Sequence, residues 1–568
     1  MSRLFQPHLR RREQSLDGMW RFCTDPEDVG QAEKWNCTLP GNRQIAVPSV
    51  WNTQLGLLEY EGAAWYEKSF YWDGGCLRLC FDAVMTQADV WLDGVKLGDH
   101  YGGFCQFDFI VPSVAAGWHT LTVRADNRFD KNSIPQLKTD WFHYGGITRS
   151  VTAQKLEGIC VLYNRLEYTL SEDLRTAQCH LVLELYNAAE DTCTTRLCAS
   201  VGEQTVYADM LTMAAGERKL LKTPEFALTE LRLWDTGKPE LYDISITTDT
   251  DDLMDRTGFR KVEIIDKKVH LNGKPIELLG VNRHEEHPDW GMAFPAGLMQ
   301  RDLDIIEDLG CNTVRGSHYP NSQLFVDLLD SRGITFWSEI PMWGGGFNDD
   351  SLSDPTVGQR GLEMHREMVK YYYNHPSIII WGMHNEIDTT TQSAVKLTEQ
   401  YYAYLKENGG NRLVTYATFR QLVDLCLHLC DIICLNRYVG WYFGHRDEWQ
   451  KDMDDFRARQ QELGLTDKPV IYSEFGGAAI YGHHTFDDLR GTEEYQAELL
   501  EQCMTLFHHD PMVAGMYIWQ LCDIRTCRAM GLDRARTYNN KGILNEYRKP
   551  KLAYHTVKRL YRQFKKED

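Results

Sequence analysis

The chain has 568 residues and a net charge of −20, with 43% hydrophobic and 25% charged residues. This length exceeds what one hydrophobic core usually supports, so we expect two to four domains. The negative charge disfavours nucleic acids and acidic membrane surfaces as partners, because both are polyanionic. The sequence contains no apolar run of membrane-spanning length, and its first 20 residues lack the apolar core of a signal peptide.

Sixteen cysteines occur without a disulfide framework, which predicts a cytoplasmic protein with reduced thiols. Cys426, Cys430 and Cys434 are spaced four residues apart and raise the alternative of a metal site. Because they span an apolar helix end and the next strand, we favour buried core thiols. We predict no metal and no organic cofactor.

Residues 1–158 have an all-β pattern. Short alternating segments at 65–70, 88–92 and 120–124 are separated by turn signals such as Asp93-Gly94. This spacing is typical of a β-sandwich of the jelly-roll kind.

Residues 159–260 continue the β pattern, with strands predicted at 181–185 and 241–246. The length of about 100 residues and the absence of long helical periodicity favour an immunoglobulin-like β-sandwich. The charge-rich segment 249–255 is predicted to be a solvated turn.

From residue 261 to 568 strands alternate with amphipathic helical segments, which predicts a (β/α)8 TIM barrel. The predicted helices include 297–309, 361–373, 391–407, 493–507 and 550–565. Eight strands are predicted at 276–279, 313–314, 334–336, 378–381, 413–416, 432–435, 470–472 and 516–519.

Polar residues follow directly after the apolar barrel strands, where a TIM barrel has its active site. Segments 282–285, 315–320, 385–386 and 436–438 show this pattern, as do Glu339, Glu474 and Gln520. The helical segments have no comparable accumulation at their ends. This asymmetry predicts an enzyme.

Two glutamates at strand ends are the groups that a retaining glycosidase needs. Glu386 follows the fourth predicted strand and Glu474 the seventh, and these strands face each other across the barrel. Tyr438 can hydrogen-bond Glu474 and keep it ionised, which makes Glu474 the nucleophile and Glu386 the acid/base. Asn385 is placed to contact the sugar 2-hydroxyl.

Other strand-end residues have two interpretations each. His318 and His284 either line the sugar pocket or brace the barrel rim, and Trp519 either supports the sugar ring or packs the barrel. Glu285 and Glu339 are more consistent with supporting positions than with catalysis.

These motifs resemble glycoside hydrolase family 2, and within it the bacterial β-glucuronidases, over essentially the whole chain. Segments 312–320 and 374–386 are similar to the two family signatures. The resemblance implies a jelly-roll sugar-binding-like domain, an immunoglobulin-like sandwich and a catalytic TIM barrel. It also implies Glu386 as acid/base, Glu474 as nucleophile, and pocket residues at Asp140, Asn436, Tyr438 and Tyr442.

The substrate is indicated by Asn539 and Lys541, which resemble the Asn-x-Lys motif that grips the C6 carboxylate in β-glucuronidases. A lysine ammonium and an asparagine amide are suitable donors to a carboxylate, and a neutral sugar would leave Lys541 unpaired. Arg534 and Arg536 lie upstream and can add to the positive field. The expected substrate is therefore a small-molecule glucuronide, hydrolysed by double displacement.

Three alternatives stay open: a β-galacturonidase, a β-galactosidase, or a non-catalytic carbohydrate-binding protein. The resemblance also implies a possible homo-oligomer, a dimer or tetramer. His384 and Gly316 depart from the family pattern, and His384 has no explanation from the sequence. The short segment 341–361 suggests an open mouth that tolerates larger aglycones.

Overall fold

The structure is a computed structural model that describes residues 3–136, 139–531 and 533–567. Its first strands form one antiparallel sheet in the order β1-β10-β4-β8-β6-β7, in which β2 also pairs with β4 and β3 pairs with β2, and a small β5–β9 pair. The predicted segments 65–70, 88–92 and 120–124 lie within β4, β6 and β8. The strands are β1 Glu13–Ser15, β2 Gly18–Asp25, β3 Gln44–Val47, β4 Ala63–Phe81, β5 Val84–Met85, β6 Gln87–Leu92, β7 Val95–Tyr101, β8 Phe107–Asp126, β9 Gly146–Ile147 and β10 Val151–Leu156.

The next strands form two sheets that enclose a separate apolar core, except β17 and β18, which pair only with each other. Their orders are β11-β12-β15, with β16 also on β12, and β14-β13-β19-β20. The strands are β11 Ile159–Leu170, β12 Ala177–Asn187, β13 Cys193–Val201, β14 Gln204–Met213, β15 Arg218–Lys222, β16 Phe226–Leu228, β17 Trp234–Asp235, β18 Lys238–Pro239, β19 Tyr242–Thr247 and β20 Asp252–Thr257. The division of the chain at 158 and 260 stays a prediction, because strand pairing defines sheets and not independently folding units.

The prediction of a solvated turn at 249–255 is correct only for Asp249 and Thr250, which are exposed between β19 and β20, and is wrong for the buried carboxylates that follow. Asp251 and Asp252 are each only 2% exposed. The Asp252 carboxylate accepts hydrogen bonds from the backbone N–H groups of Leu9 and Arg10, and Asp251 forms a buried ion pair with Arg11 at 2.7 Å. The N-terminal segment therefore supplies the donors that make burial of these carboxylates possible.

The remaining strands build a closed parallel barrel of β24 to β31, which confirms the predicted TIM barrel. A small sheet of β21 Val262–Ile265, β22 Lys268–Leu271 and β23 Lys274–Pro275 precedes it. The barrel strands are β24 Leu278–Arg283, β25 Thr313–Gly316, β26 Thr335–Glu339, β27 Ile378–Asn385, β28 Leu413–Thr418, β29 Ile433–Asn436, β30 Val470–Phe475 and β31 Val513–Ile518. A further hairpin pairs β32 Ile524–Arg525 with β33 Tyr538–Asn539.

Helices surround the barrel and agree with the predicted segments to within a few residues at most ends. They are α1 Ala296–Leu309, α2 Gln323–Arg332, α3 Asp349–Ser353, α4 Pro355–Tyr372, α5 Gln392–Asn408, α6 Trp449–Glu462, α7 Glu493–His508, α8 Arg528–Gly531 and α9 Leu552–Glu567. Helix α4 begins six residues before the predicted 361 because Asp354 caps the Thr356 N–H and Pro355 occupies the first turn.

Two further expectations concerned the cysteines and the absence of a membrane-spanning segment. All sixteen cysteines are free thiols. Cys426, Cys430 and Cys434 are at most 1% exposed and lie in the hydrophobic core, as expected. Within residues 3–136, 139–531 and 533–567, no helix is both long and apolar enough to cross a membrane.

Candidate active site

Glu386 and Glu474 are both at the carboxyl end of the barrel. Glu386 follows β27 directly, and Glu474 is the fifth residue of β30. Glu386 has a φ of 56°, a left-handed conformation that non-glycine residues adopt rarely. Arg420 donates hydrogen bonds to the backbone carbonyls of Glu386 and Ile387 at 3.1 and 3.0 Å. The segment after β28 thus holds the backbone that carries Glu386.

Glu474 is 4% exposed and accepts two hydrogen bonds from buried donors. The Tyr438 hydroxyl donates to its Oε2 at 2.8 Å, and Arg315 Nη1 donates to its Oε1 at 2.8 Å. Burial raises the pKa of Glu474, whereas the charge of Arg315 and the two hydrogen bonds oppose that rise. Both donors stabilise the ionised form.

Glu386 has a different environment. Burial raises its pKa to about 8, and the neighbouring charge of Glu474 adds to the rise. Asn436 Nδ2 donates to Glu386 Oε1 at 2.8 Å and partly opposes it. Burial and the charge of Glu474 thus favour the protonated form of Glu386, whereas Arg315 and Tyr438 favour the ionised form of Glu474. Double displacement requires such a difference between its two carboxyl groups.

Arg315 is the residue at the centre of the site that the sequence did not single out beyond its strand-end position. Its guanidinium is fully buried and donates to Asn385 Oδ1 at 2.7 Å in addition to Glu474. It also forms an ion pair with Glu339 at 2.9 Å. Glu339 is therefore a partner of Arg315, in line with the supporting position expected for it, and Asn385 is fixed beside both glutamates.

His318 lies between the hydrogen-bond network of Arg315 and a group of aromatic rings that includes Trp519 and Trp141. Its Nδ1 is 2.7 Å from Glu339 Oε1 and its Nε2 is 3.8 Å from Glu474 Oε1. Burial, followed by the charge of Arg315, holds the pKa of His318 well below its usual range. A neutral imidazole that donates through Nδ1 presents Nε2 as an acceptor, and Nε2 has no hydrogen-bond partner among the described residues.

Aromatic rings surround His318 and include one that the sequence did not single out. Trp519 is stacked on His318 with ring centroids 5.2 Å apart. Trp141 lies 5.4 Å from His318 and 5.6 Å from His284. His284 belongs to the same group of rings, since its ring centroid is 5.5 Å from that of Trp519 and its Nδ1 is 3.1 Å from the Tyr319 hydroxyl. Trp141 directly follows Asp140, and that adjacency was the available signal for it.

Asn539 and Lys541 lie with Asp140, Tyr442 and Arg534 in one cluster. Lys541 Nζ donates to the Tyr442 hydroxyl at 2.6 Å, and Asn539 Nδ2 donates to Asp140 Oδ2 at 2.6 Å. Arg534 forms an ion pair with Asp140 at 2.6 Å. Burial raises the pKa of Asp140, and the charges of Arg534 and Lys541 oppose that rise.

This cluster is continuous with the glutamate pair. The rings of Tyr442 and Tyr438 are 5.1 Å apart, and Lys541 Nζ lies 5.6 Å from the Tyr438 ring centroid. Tyr438 in turn holds Glu474. A single sugar ring bound at Glu474 is therefore long enough to contact Lys541 as well.

Two neighbouring residues lie outside the network of the two glutamates and the cluster of Asn539 and Lys541. Arg536 does not join the cluster, because it pairs with Glu546 at 2.9 Å and donates to Asn540. Glu285 pairs with Arg149 at 3.1 Å and contacts neither catalytic candidate.

The two departures from the family pattern have structural reasons. His384 points away from the barrel interior, since its Nε2 is 2.9 Å from the Thr398 hydroxyl of α5 and its ring packs on Tyr416. Alternation along β27 thus turns Asn385 inward and His384 outward. At Gly316 a Cβ would lie 2.4 Å from the Phe336 ring, so a larger residue would need that ring to move.

A different part of the molecule carries a group with metal-ligand chemistry. Asp327 and Asp330 of α2 lie close to His375, which precedes β27 and so is at the amino-terminal end of that strand, whereas Glu386 follows its carboxyl end. Arg3 already donates to both oxygens of Asp327, at 2.9 and 3.0 Å. Arg3 supplies the positive charge for Asp327, whereas Asp330 accepts from the Ser377 N–H at 2.9 Å and lies 2.5 Å from His375 Nδ1. The group is therefore consistent with a structural network.

Comparison with known proteins agrees with this geometry. The family model for glycosyl hydrolases family 2, TIM barrel domain, matches residues 262–566, and the model for the sugar binding domain of the same family matches residues 13–156. The chain belongs to glycoside hydrolase family 2.

Relatives within family 2 act on uronides according to their names. A β-glucuronidase of Paenibacillus borealis is 26% identical over 96% of both chains. A β-galacturonidase of Eisenbergiella tayi, solved with galacturonate, is 32% identical over 99% of both chains with a TM-score of 0.92. A β-glucuronidase of Ruminococcus gnavus, solved with D-glucaro-d-lactam, is 26% identical over 99% of both chains with a TM-score of 0.85.

Proposed function

We propose that this family 2 member is a retaining β-glucuronidase that hydrolyses small-molecule β-D-glucuronides to glucuronate and an aglycone. The observation that carries the proposal is the contact chain from Glu474 through Tyr438 and Tyr442 to Lys541. It joins a carboxylate pair suited to glycoside cleavage with a cationic group suited to a sugar carboxylate.

In the first step a Glu474 carboxylate oxygen bonds to the anomeric carbon while the bond to the aglycone oxygen breaks. Glu386 gives its proton to that leaving oxygen. In the second step water attacks the anomeric carbon, its proton returns to Glu386, and Glu474 leaves as a carboxylate. Side chains supply the nucleophile and every proton transfer, so the reaction needs neither a metal nor an organic cofactor.

The other pocket residues take binding roles in this proposal. Asn385 and Asn436 lie beside Glu386 and are placed to contact the 2-hydroxyl, where hydrogen bonds strengthen in the transition state. His318 Nε2 accepts a hydrogen bond from a sugar hydroxyl. Trp519 supports the ring, and Asn539 with Lys541 binds the C6 carboxylate.

A panel of nitrophenyl β-glycosides tests the proposal. We expect the glucuronide to be cleaved, the galactoside and glucoside to be poor substrates, and Glu474→Ala to be inactive. Proton NMR of the first product should show the β anomer. Equal, background-level release by wild type and Glu474→Ala would instead favour a non-catalytic carbohydrate-binding protein.

A second candidate substrate is a β-galacturonide, the C4 epimer. It is favoured by the Eisenbergiella tayi β-galacturonidase, whose identity of 32% and TM-score of 0.92 exceed the 26% and 0.85 of the Ruminococcus gnavus β-glucuronidase. Both epimers have the C6 carboxylate, so Lys541 does not separate them. The ratio of kcat/KM for nitrophenyl glucuronide and galacturonide decides between the two.

We also propose a cytoplasmic location and a homo-oligomer, either a dimer or a tetramer. Sixteen free thiols support a reducing compartment. Light scattering coupled to size-exclusion chromatography measures the oligomeric state, and fractionation of the producing cell tests the location.

A further inference from the structure

Lys551, directly before α9, is a buried cation that the reaction above does not use. Its side chain is fully buried, and its ammonium has three acceptors. These are the Ala479 carbonyl at 2.7 Å, Asp523 Oδ1 at 2.7 Å and the Asn540 carbonyl at 3.0 Å. Three acceptors account for all three N–H groups of a protonated lysine, so none remains for a ligand.

The three acceptors belong to three different segments at the catalytic end of the barrel. Ala479 follows β30, the strand that carries Glu474, and Asp523 follows β31. Asn540 lies between the two residues proposed to bind the sugar carboxylate. One ammonium therefore connects the nucleophile strand with the carboxylate-binding segment.

The same segment is held by further bonds that converge on these partners. The Asn540 carbonyl also accepts from the Ala479 N–H at 3.0 Å, and Asp523 Oδ1 accepts from the Gly542 N–H at 2.9 Å. Asp523 therefore holds the backbone one residue after Lys541, while Lys551 holds it one residue before.

We propose that Lys551 is a positioning residue that sets specificity for uronides: it fixes Asn539 and Lys541 relative to Glu474 without touching the substrate. This inference rests on the proposed function. Stability alone does not explain such a pair, because replacing a buried ion pair with apolar residues is often neutral or stabilising. Three directional hydrogen bonds from one ammonium do fix the relative positions of the three segments that accept them. A displacement of about 1 Å at a binding group can lower the reaction rate about 100-fold.

The test uses the full chain with two variants. Lys551→Met removes the three donors, and the double variant Lys551→Met, Asp523→Asn removes them without leaving an unpaired buried carboxylate. Lys558→Met is the matched control, because Lys558 also follows the barrel but forms a partly exposed ion pair with Asp308 at 2.7 Å. Thermal unfolding monitored by circular dichroism establishes that each variant is folded.

Calorimetry with two piperidine iminosugars, one with a C6 carboxylate and one with a hydroxymethyl group, measures the specificity directly. We expect both Lys551 variants to lose about 10- to 100-fold in affinity for the carboxylate ligand. Affinity for the neutral ligand should change less than about threefold, and Lys558→Met should match wild type. The loss for nitrophenyl glucuronide should appear mainly in KM.

The outcomes separate the two proposals. Unchanged preference for the carboxylate ligand in both variants refutes the positioning role alone. Equal weakening of both ligands also refutes it, because that result indicates general disruption of the pocket. If wild type itself shows no preference for the carboxylate ligand, the proposed function and the positioning role both fail.

Discussion

Replacing Lys541 with methionine removes a positive charge from the pocket while keeping most of the side-chain volume. Lys541 is 1% exposed, and its ammonium donates a hydrogen bond to the Tyr442 hydroxyl at 2.6 Å. Arg534, another cation of the same cluster, forms an ion pair with Asp140 at 2.6 Å. In Lys541→Met the substrate carboxylate would therefore enter a buried pocket with Asn539 as its main donor.

The size of the effect follows from the interaction that is lost. A hydrogen bond to a charged group contributes about 1.5–3 kcal/mol, and an unpaired buried charge adds to the loss. About 3 kcal/mol corresponds to roughly a 150-fold decrease in kcat/KM for the glucuronide. For a neutral β-glucoside or β-galactoside the same change removes an uncompensated cation, so its kcat/KM should stay constant or rise.

The assay compares kcat/KM for nitrophenyl glucuronide with kcat/KM for the neutral nitrophenyl glycosides. Lys549→Met is the matched control, because Lys549 is exposed and close to Lys541 in sequence. We expect the ratio of uronide to neutral substrate to collapse in Lys541→Met and to persist in Lys549→Met. A ratio unchanged in Lys541→Met would refute carboxylate recognition by this residue.

Three further predictions concern other parts of the molecule. The kcat/KM for glucuronide should fall as pH rises through about 8, because burial and the charge of Glu474 raise the pKa of Glu386 to about 8 and the acid must be protonated; a pH profile that stays flat to about 9 would contradict this assignment. Arg420→Met should lower kcat/KM about tenfold for a methyl glucuronide but little for a dinitrophenyl glucuronide, because a good leaving group does not need the proton that Glu386 supplies; equal losses for both substrates would exclude a role through the acid. Arg11→Met should lower the free energy of unfolding by about 3–5 kcal/mol, since it leaves a buried carboxylate unpaired. Its neighbour Arg12 is 60% exposed, and Arg12→Met should cost less than about 1 kcal/mol, so similar denaturation curves for the two variants would contradict the burial argument.

The barrel could be predicted because its signal is local. Each apolar run is followed within a few residues by polar side chains, and this order is visible without knowing what pairs with what. Boundaries were less accurate where a residue had an unexpected role. Strand β31 begins at Val513, three residues before the predicted 516, and Gly515 lies inside it. A Cβ at Gly515 would come within 2.5 Å of Leu278 on the adjacent β24, so this strand position requires glycine.

Features that depend on partners distant in sequence were missed, because no local pattern indicates them. Asp251 and Asp252 look like surface residues until Arg11 and the backbone of Leu9 are placed against them, about 240 residues away in sequence. Arg315 likewise acquires its acidic and amide partners, Glu339, Glu474, Asn282 and Asn385, only when the barrel closes. Sequence spacing also could not show that Arg534 lies in the carboxylate-binding cluster and Arg536 does not. The backbone of Arg536 has a φ of 61°, and its side chain pairs with Glu546.

The charges of the carboxylate-binding cluster explain why an aspartate belongs in a pocket for an anion. Arg534 and Lys541 supply two positive charges, and Asp140 supplies one negative charge, so the cluster has a net charge of +1. One sugar carboxylate neutralises that charge, whereas a neutral hydroxymethyl group leaves it uncompensated in a pocket where Lys541 is 1% exposed. Asp140 also takes one N–H of Asn539, which orients the amide. Asp140 therefore sets both the charge and the geometry of the site. Without Asp140, Arg534 and Lys541 would give the cluster a charge of +2, which would favour a dianion over a uronide.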